Sequence, residues 1–185
     1  TDVLVDGFQK TGVVAAGTGL AADLLRVTVV GQGPTPVTAQ NGIQVSGGAV
    51  ADAVSCDVSA VDYTGSGWTA AGLLIFGPAV ADFDDCTVDH CESSVYFADG
   101  SGSFDNGQVT NPHGDALYAY SYGAKAMVTD RPLPQPFETG ISGTPDKTAI
   151  TVSITGSTFV GAGVTDSWGP SAWGVGPTTF TVDDC

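Results

Sequence analysis

A repeat of short apolar segments is the feature of this sequence that most limits how the chain can fold. Segments that mix small and apolar residues begin at positions 12, 42, 72, 94 and 116, at intervals of 30, 30, 22 and 22 residues. A second and a third segment follow within each period, as at residues 49–53 and 56–58. Apolar and polar residues alternate inside the segments with a period of two, which is typical of β-strands. The repeat therefore predicts three short strands per period.

The connections between these strands favour stacked coils over hairpins. Asn-Gly and Asp-Gly dipeptides, which form tight hairpin turns, do not recur between the segments. Short strands of this kind can close as a solenoid, in which successive coils pair through parallel strands. We therefore predict an all-β fold, a single-stranded parallel β-helix with three short strands per coil and about 22–30 residues per coil. The longer coils are expected to carry surface loops at residues 31–36 and 63–68.

One stretch of the repeat has a recognisable pattern. Residues 40–49, followed by residues 54–59, resemble the repeat of secreted right-handed parallel β-helix proteins of the pectin-lyase-like superfamily. The resemblance covers about residues 3–130 and implies a right-handed β-helix that is secreted or displayed at the cell surface. It implies no single activity, because this architecture carries lyases, hydrolases, epimerases and adhesins. Where the superfamily often stacks Asn, this chain has Val27, Cys56 and Cys86.

The repeat is interrupted once, which divides the chain into three parts. Residues 1–130 are predicted to form the β-helix coils. Residues 131–147 begin with three alternating prolines, which a central strand does not tolerate, so a proline-rich loop is expected there. Strand-like alternation returns in residues 148–185, which we interpret as terminal coils of the same domain.

The charge balance excludes two classes of partner. The chain has 20 acidic and 5 basic residues and a formal net charge of −15. Five scattered cations cannot form the basic patch that nucleic acid or an anionic membrane requires. The apolar runs are also shorter than the roughly 20 residues that span a bilayer. We therefore expect neither a nucleic-acid nor a membrane partner.

The four cysteines allow several arrangements. Cys56 and Cys86 occupy the same place in successive coils, at a spacing that permits either a disulfide or two stacked buried thiols. Cys91 follows Cys86 closely and offers a competing local bridge. Cys185 ends the sequence and could join a partner molecule.

Acidic residues at repeated positions are the only candidates for a cofactor site. Asp52, Asp82, Asp84 and Asp105 are expected on neighbouring strands, where oxygen ligands of this kind suit calcium. A solvated acidic face is the favoured interpretation of the same rows. A zinc site near Cys86 and Cys91 lacks a second ligand pair. No cofactor is therefore predicted, and calcium is the alternative.

Residues 111–115 form the run that most resembles an enzyme motif. The run Asn-Pro-His-Gly-Asp is similar to the Asp-Pro-His-Glu segment of β-helical mannuronan C-5 epimerases and related alginate lyases. The resemblance implies proton transfer by His113, with Tyr118 and Arg131 neutralising a uronate carboxylate. However, Asn111 stands in place of the acid, and the net charge repels a polyuronate. The primary prediction is therefore that no residue is catalytic.

Tyrosines recur near the end of the regular repeat. Tyr96 and Tyr118 are separated by one 22-residue coil, and Tyr118, Tyr120 and Tyr122 share one face of a strand. Their neighbours Val95, Phe97, Leu117 and Ala119 form an apolar opposite face, so the tyrosines are expected to point outward. An outward aromatic platform can pack against sugar rings or against a protein.

These patterns together predict a non-catalytic secreted or cell-surface module with a structural or binding role. Residues 1–8 already alternate like a strand, and neither terminus shows an amphipathic capping helix. We therefore expect other copies, or adjacent coils of a longer chain, to stack on the helix ends, which allows filament formation. Glycans are the other expected partners. The alternative is a polysaccharide-modifying enzyme, a uronate lyase or epimerase, that uses the His113 region.

Overall fold

The described residues form three parallel β-sheets of six strands each. The computed structural model describes residues 2–121, 149–161, 169–174 and 178–185. Sheet A contains β1 (Val3–Val5), β4 (Val27–Thr35), β7 (Asp57–Tyr63), β10 (Thr87–Asp89), β13 (Gln108–Thr110) and β16 (Thr158–Val160). Sheet B contains β2 (Thr11–Ala16), β5 (Asn41–Ser46), β8 (Ala71–Phe76), β11 (Ser93–Ala98), β14 (Leu117–Ser121) and β17 (Ser171–Gly174). Sheet C contains β3 (Ala21–Leu25), β6 (Val50–Val54), β9 (Val80–Asp84), β12 (Ser101–Asp105), β15 (Ile150–Thr155) and β18 (Thr178–Asp183).

Strands at equivalent places in the sequence repeat stack directly on one another. In sheet B, Ile43 pairs with Leu73, Leu73 with Val95, and Val95 with Leu117. These pairs follow the predicted intervals of 30, 22 and 22 residues. The chain visits the sheets in the order B, C, A within each coil, and every strand pair is parallel within the described residues. The predicted all-β parallel β-helix with three strands per coil is therefore confirmed.

The core lies between the three sheets and is filled by alternate residues of each strand. In β6, Ala51 and Ala53 are buried, whereas the alternate residues are exposed. Phe83, Phe97 and Phe104 are the largest fully buried side chains. Burial of each such ring contributes about 1.5–3 kcal/mol. Because the inward positions of one coil lie on those of the next, the core is a set of continuous apolar rows.

One predicted surface loop is wrong. Residues 31–35 continue strand β4, and they pair with the end of β7 through Gly33–Val61, Pro34–Asp62 and Thr35–Tyr63. A bulge between Val30 and Gly33 absorbs the extra residues. Proline is tolerated here because β1 pairs with β4 only over Val27–Val29, so Pro34 lies at a sheet edge. The second predicted loop begins at the end of β7, and residues 64–70 lie outside the strands.

Coil stacking continues beyond the proline-rich part of the sequence. The predicted loop at residues 131–147 lies outside the described residues, as do Tyr122 and Arg131. Strands β15 and β16 nevertheless pair in register with β12 and β13. At the opposite end, β1, β2 and β3 are edge strands, with Val3 and Leu4 exposed. Stacking of further coils on this edge stays a prediction.

The cysteines are free thiols and not disulfides. Cys56 and Cys86 are buried in successive coils just before β7 and β10, in agreement with the stacked-thiol alternative. The Cys86 thiol lies 3.5 Å from the carbonyl oxygen of Ala53 and 3.4 Å from that of Asp84. A hydrogen bond with Cys56, together with burial, raises the pKa of Cys86. Cys91 is buried and Cys185 exposed, and neither is bridged.

We predict that Gly102→Ala strongly destabilises the fold. Gly102 has a φ of 145°, and a Cβ atom there would lie 1.8 Å from the carbonyl oxygen of Ala81 in β9. Backbone strain and overpacking together should lower the free energy of unfolding by about 2–4 kcal/mol in chemical denaturation. Gly67→Ala is the matched control, because Gly67 also has positive φ but faces open space. A loss no greater than that of the control would contradict the close strand packing.

Candidate functional site

The outward side of sheet B carries a row of aromatic and aliphatic side chains. Tyr96 pairs in register with Leu74 in the coil before it and with Tyr118 in the coil after it. Ala98 likewise lies between Phe76 and Tyr120. All of these residues alternate with core residues, so they point away from the core. We call this group the aromatic face: Leu74, Phe76, Tyr96, Ala98, Tyr118 and Tyr120.

The tyrosines of the aromatic face pack against one another. The ring centroids of Tyr96 and Tyr118 are 5.3 Å apart at an angle of 37°. Those of Tyr118 and Tyr120 are 5.9 Å apart at 36°. The outward orientation predicted for Tyr96, Tyr118 and Tyr120 agrees with the structure, but their side chains are not fully exposed. Tyr96 is only 7% exposed because its neighbours pack around it, whereas Tyr118 and Tyr120 are partly exposed.

Polar groups on the same side of sheet B accompany the rings. The Asn41 amide donates to Gln44 Oε1 at 3.0 Å, and the Gln44 amide donates to Ser46 Oγ at 3.2 Å. Ser93 pairs with Ala71, which packs against the aromatic face, so Ser93 belongs to the same side. Ser93 is 2% exposed, and its hydroxyl has no hydrogen-bond partner within the described part of the chain.

Asp115 continues this outer row in the next coil. The backbone N–H of Ser94 donates to the carbonyl oxygen of Asp115 at 2.9 Å, which places Asp115 beside Ser93. Partial burial raises the pKa of the Asp115 carboxyl. The aromatic face therefore has a carboxyl group and a buried hydroxyl at the point where its strands begin.

A second polar group, which we call the histidine corner, lies where sheet A passes into sheet B. It contains Asp62, Glu92, His113 and Asp115, which come from three successive coils. The His113 Nδ1 atom lies 2.7 Å from Asp62 Oδ2. The Asp62 side chain is 8% exposed and that of His113 is 38% exposed. The carboxylate holds the neutral ring with its proton on Nδ1, so Nε2 is the basic nitrogen.

Backbone hydrogen bonds place His113 in this corner. Its N–H donates to the carbonyl oxygen of Cys91 at 2.9 Å, and Gly114 N–H donates to that of Glu92 at 2.8 Å. The Glu92 carboxylate accepts the Ala70 N–H at 2.7 Å. Burial, followed by the negative charges of Asp62 and Asp115, raises the pKa of Glu92 to about 7. The corner thus contains a carboxyl group that can exchange a proton near neutral pH and an imidazole ring in the same place.

The second histidine of the chain lies beside the first. The rings of His90 and His113 are 6.2 Å apart and nearly perpendicular. Asp89 lies 2.7 Å from His90 Nδ1 and accepts the Asn111 amide at 3.0 Å. Asn111, at a φ of 50°, has a structural role in the turn and does not replace the missing acid of the epimerase-like motif.

Of the three alternative catalytic residues, His113 is paired with an acid in the part of the chain that the structure describes. His113 contacts Asp62, whereas the Tyr118 ring packs against Tyr96 and Tyr120. Arg131 lies outside the described residues. Sequence reasoning missed Asp62, Glu92 and Ser93. The only available signal for Asp62 was its position directly after the apolar Val61. The loop predicted to begin at residue 63 obscured this signal.

The acidic rows of sheet C are ordered but do not form a metal site. Asp52 pairs with Asp82, and Asp84 pairs with Asp105. The Asn106 amide donates to Asp84 at 2.7 Å. Across the described ranges, no group of three or more His, Cys, Asp or Glu side chains is arranged to hold a metal ion. The calcium alternative therefore receives no support from the structure.

Comparisons with protein-family models, curated proteins and solved structures found no match to this chain. Among the residues that the structure describes, no helix is long and apolar enough to cross a membrane.

We predict that Glu92→Gln stabilises the protein at alkaline pH. The pKa of Glu92 rises from its usual value of 4.5 to about 7 in the fold, so the wild type loses stability as the pH rises between these values. Glutamine keeps an acceptor for Ala70 and carries no charge. Thermal unfolding at several pH values should show a higher Tm for the variant at pH 8 and a flatter pH dependence.

Asp82→Asn is the control for this experiment, because it removes a charge from the exposed outer side of sheet C. Equal pH dependence of Tm in the wild type and in Glu92→Gln would contradict the assignment.

Proposed function

We propose that this chain is a non-catalytic carbohydrate-binding module of a secreted or cell-surface protein, with the aromatic face as its binding surface. The packed tyrosines on the outer side of sheet B are the observation that carries this proposal. A sugar ring presents C–H groups that pack against an aromatic ring, and the hydroxyls at its edge seek hydrogen bonds. Tyr118 and Tyr120 supply partly exposed rings for the first of these contacts.

The parallel sheet supports this role because it holds the rings in place before a ligand binds. Tyr96 is buried between Leu74 and Tyr118, so the neighbouring ring has little freedom to lose. A ligand then binds without the full cost of ordering flexible side chains, about 0.5–1.5 kcal/mol for each. Asn41, Gln44 and Ser46 extend the same side with amide and hydroxyl groups that can bond to sugar hydroxyls.

We predict that Tyr118→Ala weakens binding of a neutral glycan about tenfold, which corresponds to about 1.4 kcal/mol. The loss reflects removal of the ring that contacts both Tyr96 and Tyr120. Isothermal titration with a panel of neutral hexasaccharides, including a β-1,4-glucan, measures the affinity. Val80→Ala, an exposed residue on sheet C, is the control and should bind like the wild type. Unchanged affinity of the Tyr118 variant would exclude the aromatic face.

A second candidate function is acid–base modification of a polyuronate at the histidine corner. The hydrogen bond between Asp62 and His113 favours it, because a buried carboxylate orients the ring and leaves Nε2 available to a substrate. Nε2 of His113 would take the C-5 proton of a uronate. In a lyase reaction the bond between C-4 and the glycosidic oxygen then breaks, and that oxygen leaves with a proton from solvent; in an epimerase reaction a proton from solvent returns to the opposite face of C-5. The net charge of −15 opposes this substrate.

We predict, for this second function, that His113→Ala abolishes eliminase or epimerase activity on polyuronates. Asp62→Asn should lower the rate, because it removes the carboxylate that orients the His113 ring. His90→Ala is the matched control, since His90 is bonded to Asp89 and not to Asp62. Assays of unsaturated product and of C-5 inversion on a uronate panel measure the activity. Absence of activity in the wild type, or full activity of His113→Ala, would refute it.

A further inference from the structure

The carboxyl groups beside the aromatic face lack a lysine or arginine partner in the described structure. Among the described residues, Lys10 and Arg26 are the only ones of these two types, and both belong to the first coil. Arg26 pairs with Asp2 at 2.8 Å, and the Lys10 ammonium donates to the Ala39 carbonyl. Glu92 and Asp115 lie three and four coils farther along the helix, respectively. Within the described residues, no lysine or arginine therefore lies between these negative charges and a ligand.

Ser93 adds an independent observation at the same place. Its hydroxyl is buried and unpartnered within the described residues, which is unfavourable for the ligand-free protein. It lies beside Asp115 on the side of sheet B that carries the tyrosines. A ligand group that donates or accepts a hydrogen bond here would remove this deficit. The hydroxyl and the carboxyl together suit a donor with several N–H groups.

We propose that the aromatic face selects a glycan with free amino groups, a polymer of the glucosamine type. This inference rests on the proposed function and adds the chemical class of the ligand. One sugar ring packs on Tyr118, and an ammonium group of the same chain bonds to the Asp115 carboxylate with Ser93 as a second partner. A charge-assisted hydrogen bond of this kind is about twice as strong as a neutral one.

The spacing requires an oligosaccharide. Asp115 precedes Tyr118 by three residues, which in an extended strand is about 10 Å. The stacked ring and the bound ammonium must therefore belong to different sugar units. Polyuronates place a carboxylate where this site already has carboxyl groups, so they are repelled. Neutral glycans can occupy the rings but leave Asp115 without a partner.

The burial of Asp115 is consistent with this selection. Partial burial raises the pKa of its carboxyl, because burial removes water from around the ionised form. A bound ammonium would supply that charge and favour the carboxylate.

Titration with three matched hexasaccharides tests the inference. The probes are β-1,4-linked glucosamine, its fully N-acetylated counterpart and the β-1,4-glucan, measured by isothermal titration at about pH 6. We expect the glucosamine oligomer to bind at least about tenfold more tightly than the other two. Asp115→Asn should abolish this preference, and Ser93→Ala should reduce it. Asp52→Asn is the matched control, since it removes one charge from the outer side of sheet C and should keep the preference.

The outcomes separate this inference from the proposed function. Equal affinity for all three probes, or an equal loss in Asp52→Asn and Asp115→Asn, would overturn selection of the amine. Tyr118-dependent binding of the neutral probe would then still support the proposed function. Absence of binding by all probes would overturn both. If near-ultraviolet circular dichroism shows that Asp115→Asn is unfolded, Ser93→Ala decides, because it removes one hydroxyl only.

Discussion

In-register parallel hydrogen bonding between coils is the constraint on which the rest of the structure depends. Each strand pairs with its equivalent one coil away, so a residue at one position stacks on the residue at the same position of the next coil. The core becomes a set of apolar rows, and the surface becomes a set of polar or aromatic rows. A site on such a surface is therefore built across coils, from residues far apart in sequence.

The histidine corner shows one favourable and one unfavourable consequence of this stacking. Asp62 and His113 are 51 residues apart, yet stacking brings their side chains within hydrogen-bonding distance. The same stacking places Glu92 close to Asp62 and Asp115, which opposes ionisation and contributes to its raised pKa. Like charges in a row are unfavourable unless they are solvated or paired. Burial and neighbouring negative charges therefore favour the protonated form of Glu92.

The sequence predicted the coils because the repeat interval is itself the stacking rule, but it did not predict which polar side chains meet. The extension of β4 through Pro34 was hidden, since a bulge breaks the alternation between Val30 and Gly33. Without that extension, Asp62 belonged to no strand and its contact with His113 could not be inferred. The outward direction of Tyr96 followed from alternation, whereas its burial depends on side chains of neighbouring coils.

The two proposed functions place opposite demands on the same carboxyl groups. A uronate substrate at His113 would have to approach Asp62, Glu92 and Asp115, and each added carboxylate raises the free energy of the bound state. A ligand with ammonium groups lowers that free energy at the same positions and also gives the buried Ser93 hydroxyl a partner. Aromatic packing on Tyr118 would serve neutral and amino glycans alike and does not discriminate between them. The negative charge at the point where the strands of sheet B begin therefore decides which ligand the aromatic face can bind.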